Sequence, residues 1–147
     1  MIAEQARPRL VLVLDFNMTD KIFSHIPNDL DDSTAPWTEF VDEDIHIRIF
    51  RDKYPVNPGH LLFVPKFNSM AVLTEAFEHA SAYGRVKVKN GEWDGFNVGL
   101  NYGAAAGQTV DWPHVHLIPR FQNDCEDPVG GVRNVIPGKG NYRKWKS

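Results

Sequence analysis

His114 and His116 stand two residues apart in the stretch Gln108-Thr109-Val110-Asp111-Trp112-Pro113-His114-Val115-His116-Leu117-Ile118-Pro119-Arg120. The alternation predicts a strand over 110–118, in which successive side chains point to opposite faces. Trp112, His114 and His116 then line one side, while apolar Pro113, Val115 and Leu117 line the other as a core-facing set. Residues 103–107, Gly-Ala-Ala-Ala-Gly, lead in through Gln108 and Thr109. A small-residue loop of this kind lets backbone amides approach a phosphate closely. Two imidazoles on a rigid element beside it suit phosphorus chemistry.

A neutral histidine is a competent nucleophile, and an ordinary imidazole pKa of about 6.5 leaves most of it neutral near pH 7. When a backbone carbonyl accepts the proton on one ring nitrogen, the other nitrogen aims its lone pair at substrate. The non-bridging phosphoryl oxygens need donors already in place, and Gln108, Thr109, the loop amides and the second histidine can supply them. Covalent catalysis through one imidazole splits a displacement into two easier ones. Two other readings stay open at this point. The histidines can form a solvated face or a hydrogen-bonded pair without chemistry. His-x-His on a strand can also hold zinc with a third ligand, here His60 or an aspartate, although the chain has no cysteine cluster and no His-Glu pairing for such a site.

The surrounding pattern predicts the elements that must position these residues. Segments 37–41 and 45–50 alternate on either side of Asp42-Glu43-Asp44 and read as a hairpin. Residues 51–59 form a loop punctuated by Pro55 and Pro58, and 60–64 a nearly continuous apolar strand ended by Pro65. Asn68 or Ser69 opens a helix in which Val72, Leu73, Ala76, Phe77, Ala80 and Tyr83 make one buried stripe. A turn at 91–95 and a strand at 96–100 lead into the glycine loop. Nearer the amino terminus, the apolar run 10–14 reads as a strand or packed segment, and 15–26 holds a short helix capped by Thr19 or Asp20. These elements give an antiparallel α+β class with one main helix and neither repeats nor a linker. A single domain over 1–147 is expected, with an irregular tail from about residue 123.

Composition narrows the function classes. The 147 residues are 42% hydrophobic with net charge -3, which argues against a general nucleic-acid surface. Cys125 is the single cysteine, so the chain can form neither an intramolecular disulfide nor a cysteine zinc finger. The run 10–14 follows Arg7-Pro8-Arg9, but it is short for a signal sequence, ends at Asp15 and lacks a small-residue cleavage site. A cytoplasmic protein with no membrane association is expected.

Several segments together resemble the histidine triad (HIT) superfamily, whose signature alternates three histidines with apolar residues after a Gly-Gln-Thr/Ser-Val entry. Gly107-Gln108-Thr109-Val110 matches the entry, and 114–120, His-Val-His-Leu-Ile-Pro-Arg, the remainder. The stretch 52–66 from Asp52 through His60 resembles the family's nucleoside-side loop and following strand, and 97–103 the strand that runs into the signature. Gly130-Gly131-Val132-Arg133 and Ile136-Pro137-Gly138-Lys139 resemble a tail of bacterial members. The resemblance implies a five-stranded antiparallel sheet with one main helix. It implies His114 as nucleophile and His116 as the histidine that contacts phosphate oxygens. It places Asp52 at the ribose hydroxyls, Asn101, Gln108 and Thr109 at the phosphates, and His60 behind the phosphate pocket. The implied reaction cleaves the α-phosphate bond of a nucleoside phosphoramidate or related conjugate through a nucleotidyl-histidine. A dinucleoside polyphosphate substrate and a low-activity nucleotide-binding protein are the alternatives. The implied state is a homodimer in which the tail of one subunit reaches its partner's site, with Trp145 at that interface. No cofactor, metal or specific nucleic acid is expected.

Two departures stand out. Trp112 occupies the place of the first triad histidine, flanked by Asp111 and Pro113. Segment 21–27 stands where some members carry a Cys-x-x-Cys zinc half-site and has neither cysteine, so no structural zinc is expected. Elsewhere, Trp37, Trp93 and Phe40 read as core rather than base-stacking residues, His46 as solvent-facing, and His79 as lying on the polar side of the helix. His25 and Cys125 receive no role, and the basic end at Arg143-Lys144-Trp145-Lys146 reads as frayed.

Overall fold

The computed structural model of the chain describes residues 37–145. The expected segment at 10–14, the short helix within 15–26 and the 21–27 stretch in place of a zinc half-site lie outside the described residues. Five strands form one antiparallel sheet: β1 (Trp37–Glu43), β2 (Ile47–Asp52), β3 (Leu61–Pro65), β4 (Gly95–Gly99) and β5 (Val115–Arg120), in the spatial order β1-β2-β3-β5-β4. One helix, α1 (Met70–Lys89), covers a single face. Among the described residues no helix is long and apolar enough to cross a membrane.

α1 starts where the side chain of Ser69 accepts from the Val72 amide, and Lys87 and Lys89 sit in its last turn, where the helix dipole favours cations. Val72, Ala76, Ala80 and Gly84 recur every four residues and are buried against the sheet with Ile47, Leu61, Phe63, Val115 and Leu117. Trp93 joins this core as expected. The opposite face carries a second cluster of Trp37, Phe50, Leu62, Val64 and Val110, with Trp112 packed against it. β3 is covered on both faces and buried at every position, which accounts for its unbroken apolar sequence.

Two expectations need correction. Phe40 is 56% exposed, because β1 is an edge strand whose register shifts between Phe40 and Asp42. β5 begins at Val115, so residues 110–114 are not strand. Pro113 has no N–H to offer a ladder. Beside it the Trp112 indole N–H donates to the Pro65 carbonyl at 2.8 Å, so this stretch is tied by side chain rather than by pairing. From Val115 onward the predicted alternation holds, with Val115, Leu117 and Pro119 buried and His116, Ile118 and Arg120 half-buried on the other face.

A Cβ placed on Gly84 would lie 2.7 Å from the Phe96 ring, so the absent side chain lets β4 seat against the helix. Gly84→Ala gains about 1 kcal/mol of helix propensity. It also overpacks against the half-buried Phe96 ring, at a cost of about 1–3 kcal/mol. The expected net result is a lower urea midpoint with an unchanged transition slope; a raised midpoint would show that Phe96 relaxes freely.

Candidate active site

The face of the sheet opposite α1 holds a cleft of about 670 Å³ lined by every predicted site residue: Asp52, His60, Asn101, Gln108, Thr109, His114 and His116. His116 reaches it because Val115 and Leu117 on either side are buried under α1. His60 precedes β3 on the same face as Leu62, and the antiparallel pairing of Leu62 with His116 brings the two histidines together. Asp52 ends β2, where its amide donates to the His60 carbonyl at 3.1 Å.

Hydrogen bonds assign the imidazole tautomers. His114 Nδ1 lies 2.8 Å from the Trp112 carbonyl, which can only accept, so Nδ1 carries the proton and Nε2 the lone pair. The Val56 amide donates to His60 Nδ1 at 3.2 Å, so His60 in its neutral form is protonated at Nε2. That N–H donates to His116 Nδ1 at 3.0 Å, which leaves the His116 proton on Nε2. His116 Nε2 is buried and has no partner among the described residues. Such an orphaned donor marks a position that a ligand or water completes. The cleft therefore contains a free imidazole lone pair and, on a ring 5.0 Å away, an unpaired N–H. Trp37 packs edge-on against His114 at 5.4 Å and steadies the ring from outside the cleft.

The remaining predicted residues divide by how fully they are engaged. Asp52 is buried, with one carboxylate oxygen accepting from the Tyr54 amide at 2.7 Å and the other 3.5 Å from His60 Nε2 and 3.8 Å from His116 Nδ1. Gln108 is committed to its own loop: it accepts from the Gly103 amide and donates to the carbonyls of Val110 and Asp111. Gly107 closes that loop at a φ of 84°, in the left-handed region glycine tolerates. Asn101 and Thr109 stand exposed at the rim.

The wall opposite the histidines is one that sequence reasoning missed. Gly131, Val132, Asn134 and Val135, part of a short 3-10 turn (Gly131–Val135), line the cleft of their own chain. The segment folds on itself: Asn141 and Lys144 bind the Asp127 carboxylate, and Gly130 touches Gly140 so closely that a Cβ would lie 2.1 Å from its carbonyl oxygen. Trp145 joins this arrangement, with the Arg133 guanidinium 5.5 Å and the Lys139 ammonium 4.9 Å from its ring. The glycines at 130 and 140 were the available signal of such close approach.

Among the described residues two groups bring metal-ligating atoms within 4.8 Å of one another: Asp52, His60 and His116 in the cleft, and Asp44, Glu75 and His79 beside α1. In the cleft His60 Nε2 and His116 Nδ1 are hydrogen-bonded to each other, with the Asp52 carboxylate alongside. In the second group His79 pairs with Asp44 at 3.1 Å, and Glu75 accepts from His46 at 2.8 Å, so His46 faces the helix as well as solvent.

Comparison with known proteins agrees with this fold. The family model described as HIT domain matches residues 36–123. An adenylylsulfatase of Arabidopsis thaliana is 31% identical over 98 residues, 62% of this chain and 49% of that protein. AP-4-A phosphorylase of Mycobacterium tuberculosis is 38% identical over 94 residues, 57% of this chain and 48% of that protein. The chain thus spans about half the length of these two curated relatives. A solved member of the HIT family from Bacillus subtilis superposes with a TM-score of 0.53 at 28% identity, covering 68% of this chain and 75% of that one.

Burial dominates the electrostatics. Desolvation lowers the pKa of His60 against the pull of Asp52, and that of His114 against the Trp112 carbonyl and Asp52. His116 is lowered to about 4, first by burial and then by the neighbouring imidazoles. In the unfolded chain the same ring takes up a proton near 6.5. Between those values the unfolded state binds more protons, so the stability contributed by a neutral His116 is full above pH 6.5 and is lost as pH falls towards about 4. Urea midpoints measured across that window are expected to drop steeply for the native protein and less steeply for His116→Gln. Parallel curves for the two would show that His116 does not titrate this way.

Proposed function

The chain belongs to the HIT domain family, and from that premise we propose that it is a nucleotide hydrolase or nucleotidyltransferase working through His114. The substrate class is a nucleoside phosphoramidate or a related mononucleotide conjugate. The observation that carries this reading is the fixed tautomer of His114, with Nδ1–H on the Trp112 carbonyl and the lone pair on Nε2 in the cleft. In the proposed reaction Nε2 forms a bond to the α-phosphorus. The bond from phosphorus to the leaving nitrogen or oxygen breaks, and the leaving group departs with the electron pair and takes a proton from solvent. The imidazole then bears a positive charge, which the Trp112 carbonyl stabilises at Nδ1–H. Water attacks the phosphorus next, the N–P pair returns to Nε2, and the nucleotide is released as water gives up its proton.

His116 Nε2–H, Asn101 and Thr109 bind the phosphoryl oxygens in this reading, Asp52 the ribose hydroxyls, while His60 holds the His116 tautomer. Gln108 acts through the loop it ties. A homodimer belongs to the same proposal. The choice of a mononucleotide conjugate over a dinucleoside polyphosphate rests on charge. Among the described residues that line the cleft none is Lys or Arg, and the one acidic side chain is Asp52. A chain of several phosphates would enter without countercharge, whereas a phosphoramidate brings little. Tyr54, Val56, Val132 and Val135 give the mouth an apolar rim suited to an uncharged leaving group.

The test is release of mononucleotide from adenosine and guanosine phosphoramidates, an aminoacyl-adenylate analogue and a diadenosine polyphosphate. His114→Ala is expected to lose roughly a thousandfold or more of turnover while still binding nucleotide. Turnover that survives in His114→Ala removes His114 as nucleophile, and a preference for the polyphosphate overturns the charge argument. Binding without turnover of any member leaves a nucleotide-binding protein. Because burial lowers the pKa of His114, the acid limb of kcat is expected below the ordinary imidazole value near 6.5.

A further inference from the structure

We infer that Trp112 is a positioning residue for the nucleophile, acting through its indole N–H. The inference rests on the reading of His114 as the attacking group and concerns how this chain keeps that group aligned. Two hydrogen bonds of 2.8 Å each run in series, from the Trp112 indole to the Pro65 carbonyl and from His114 Nδ1 to the Trp112 carbonyl. Trp112 lies before β5 begins, so no strand pairing fixes the direction of its carbonyl. Pro65 does belong to a ladder, opposite Ile47. The indole bond therefore carries the rigidity of the β2–β3 pair to a carbonyl outside any strand.

The side chain is placed for this role and for no direct one. Trp112 packs against the cluster of Trp37, Phe50, Leu62, Val64 and Val110 and is absent from the lining of the cleft. Pro113 contributes by restricting the backbone of the residue before it to extended conformations, yet it leaves the carbonyl a broad arc. The indole narrows that arc to one direction. If the carbonyl swings away, His114 loses its preference for the Nδ1–H tautomer, and a fraction of the rings presents N–H rather than a lone pair to phosphorus. That fraction lowers kcat and leaves substrate binding unaffected.

The experiment follows the 15N resonances of the histidine rings and steady-state kinetics on an adenosine phosphoramidate in the native protein, Trp112→Phe and Val110→Ala. Trp112→Phe keeps an aromatic ring and removes the N–H. Its His114 Nδ1 and Nε2 resonances are expected to converge, kcat to fall about tenfold, and KM to stay within about twofold. Val110→Ala opens a hole in the same buried cluster without touching either bond. It is expected to lower the melting temperature while the His114 resonances stay in place. Unmoved His114 resonances in Trp112→Phe overturn the inference, as does an equal movement in Val110→Ala. The ring resonances need no substrate, so absence of turnover by the native protein counts against the proposed reaction and still lets the role of Trp112 be judged.

Discussion

The pairing of β3 with β5 is the constraint on which the rest of the site depends. It is short, with Leu61 opposite Leu117, Leu62 opposite His116 and Phe63 opposite Val115. Because side chains alternate, burying Leu61, Phe63, Val115 and Leu117 under α1 sends Leu62 and His116 to the other face. His60 follows by parity, and its ring meets His116 at 3.0 Å. A slip of one residue would push the imidazoles into the apolar core and bring Val115 and Leu117 out into water. The energy of the hydrophobic core therefore holds the geometry of the polar cleft, although the two share no atoms.

The same arrangement settles the charge of the site. Asp52 pulls the neighbouring imidazoles towards protonation, and burial pushes the other way and wins at His60, His114 and His116. An uncharged histidine can both donate and accept, and the relay from the Val56 amide through His60 to His116 requires that dual capacity. Protonation of either ring would place two N–H groups face to face. Acid thus disrupts the alignment of the site as well as its charge.

Elements with a strong period were legible in the sequence. The helical stripe, the five strands of the sheet and the faces of Val115, His116 and Leu117 all follow from apolar spacing. The start of β5 was not, because alternation continues through Trp112 and Pro113 while hydrogen bonding does not. Phe40 misled for a related reason, since its aromatic character says nothing of an edge strand with a shifted register. Spacing alone pointed to His114, His116, Gln108 and Thr109, and likeness to a known signature added Asp52, Asn101 and the place of His60. That likeness could not say that Gln108 spends its amide on its own loop. The tail was opaque because glycine contacts and bonds between side chains hold it, and neither leaves a repeating pattern.

That tail divides the cleft into parts of different origin. The floor, with its histidines, is built by the sheet and answers to the packing of the whole core. The wall formed by Val132 and Val135 is held by bonds among residues 127–145, chiefly those of Asp127, Gly130 and Gly140. Where this wall meets the sheet, it does so at β4. The two parts of the cleft therefore answer to different stretches of sequence: residues 127–145 shape the wall, and the packing of the core shapes the floor.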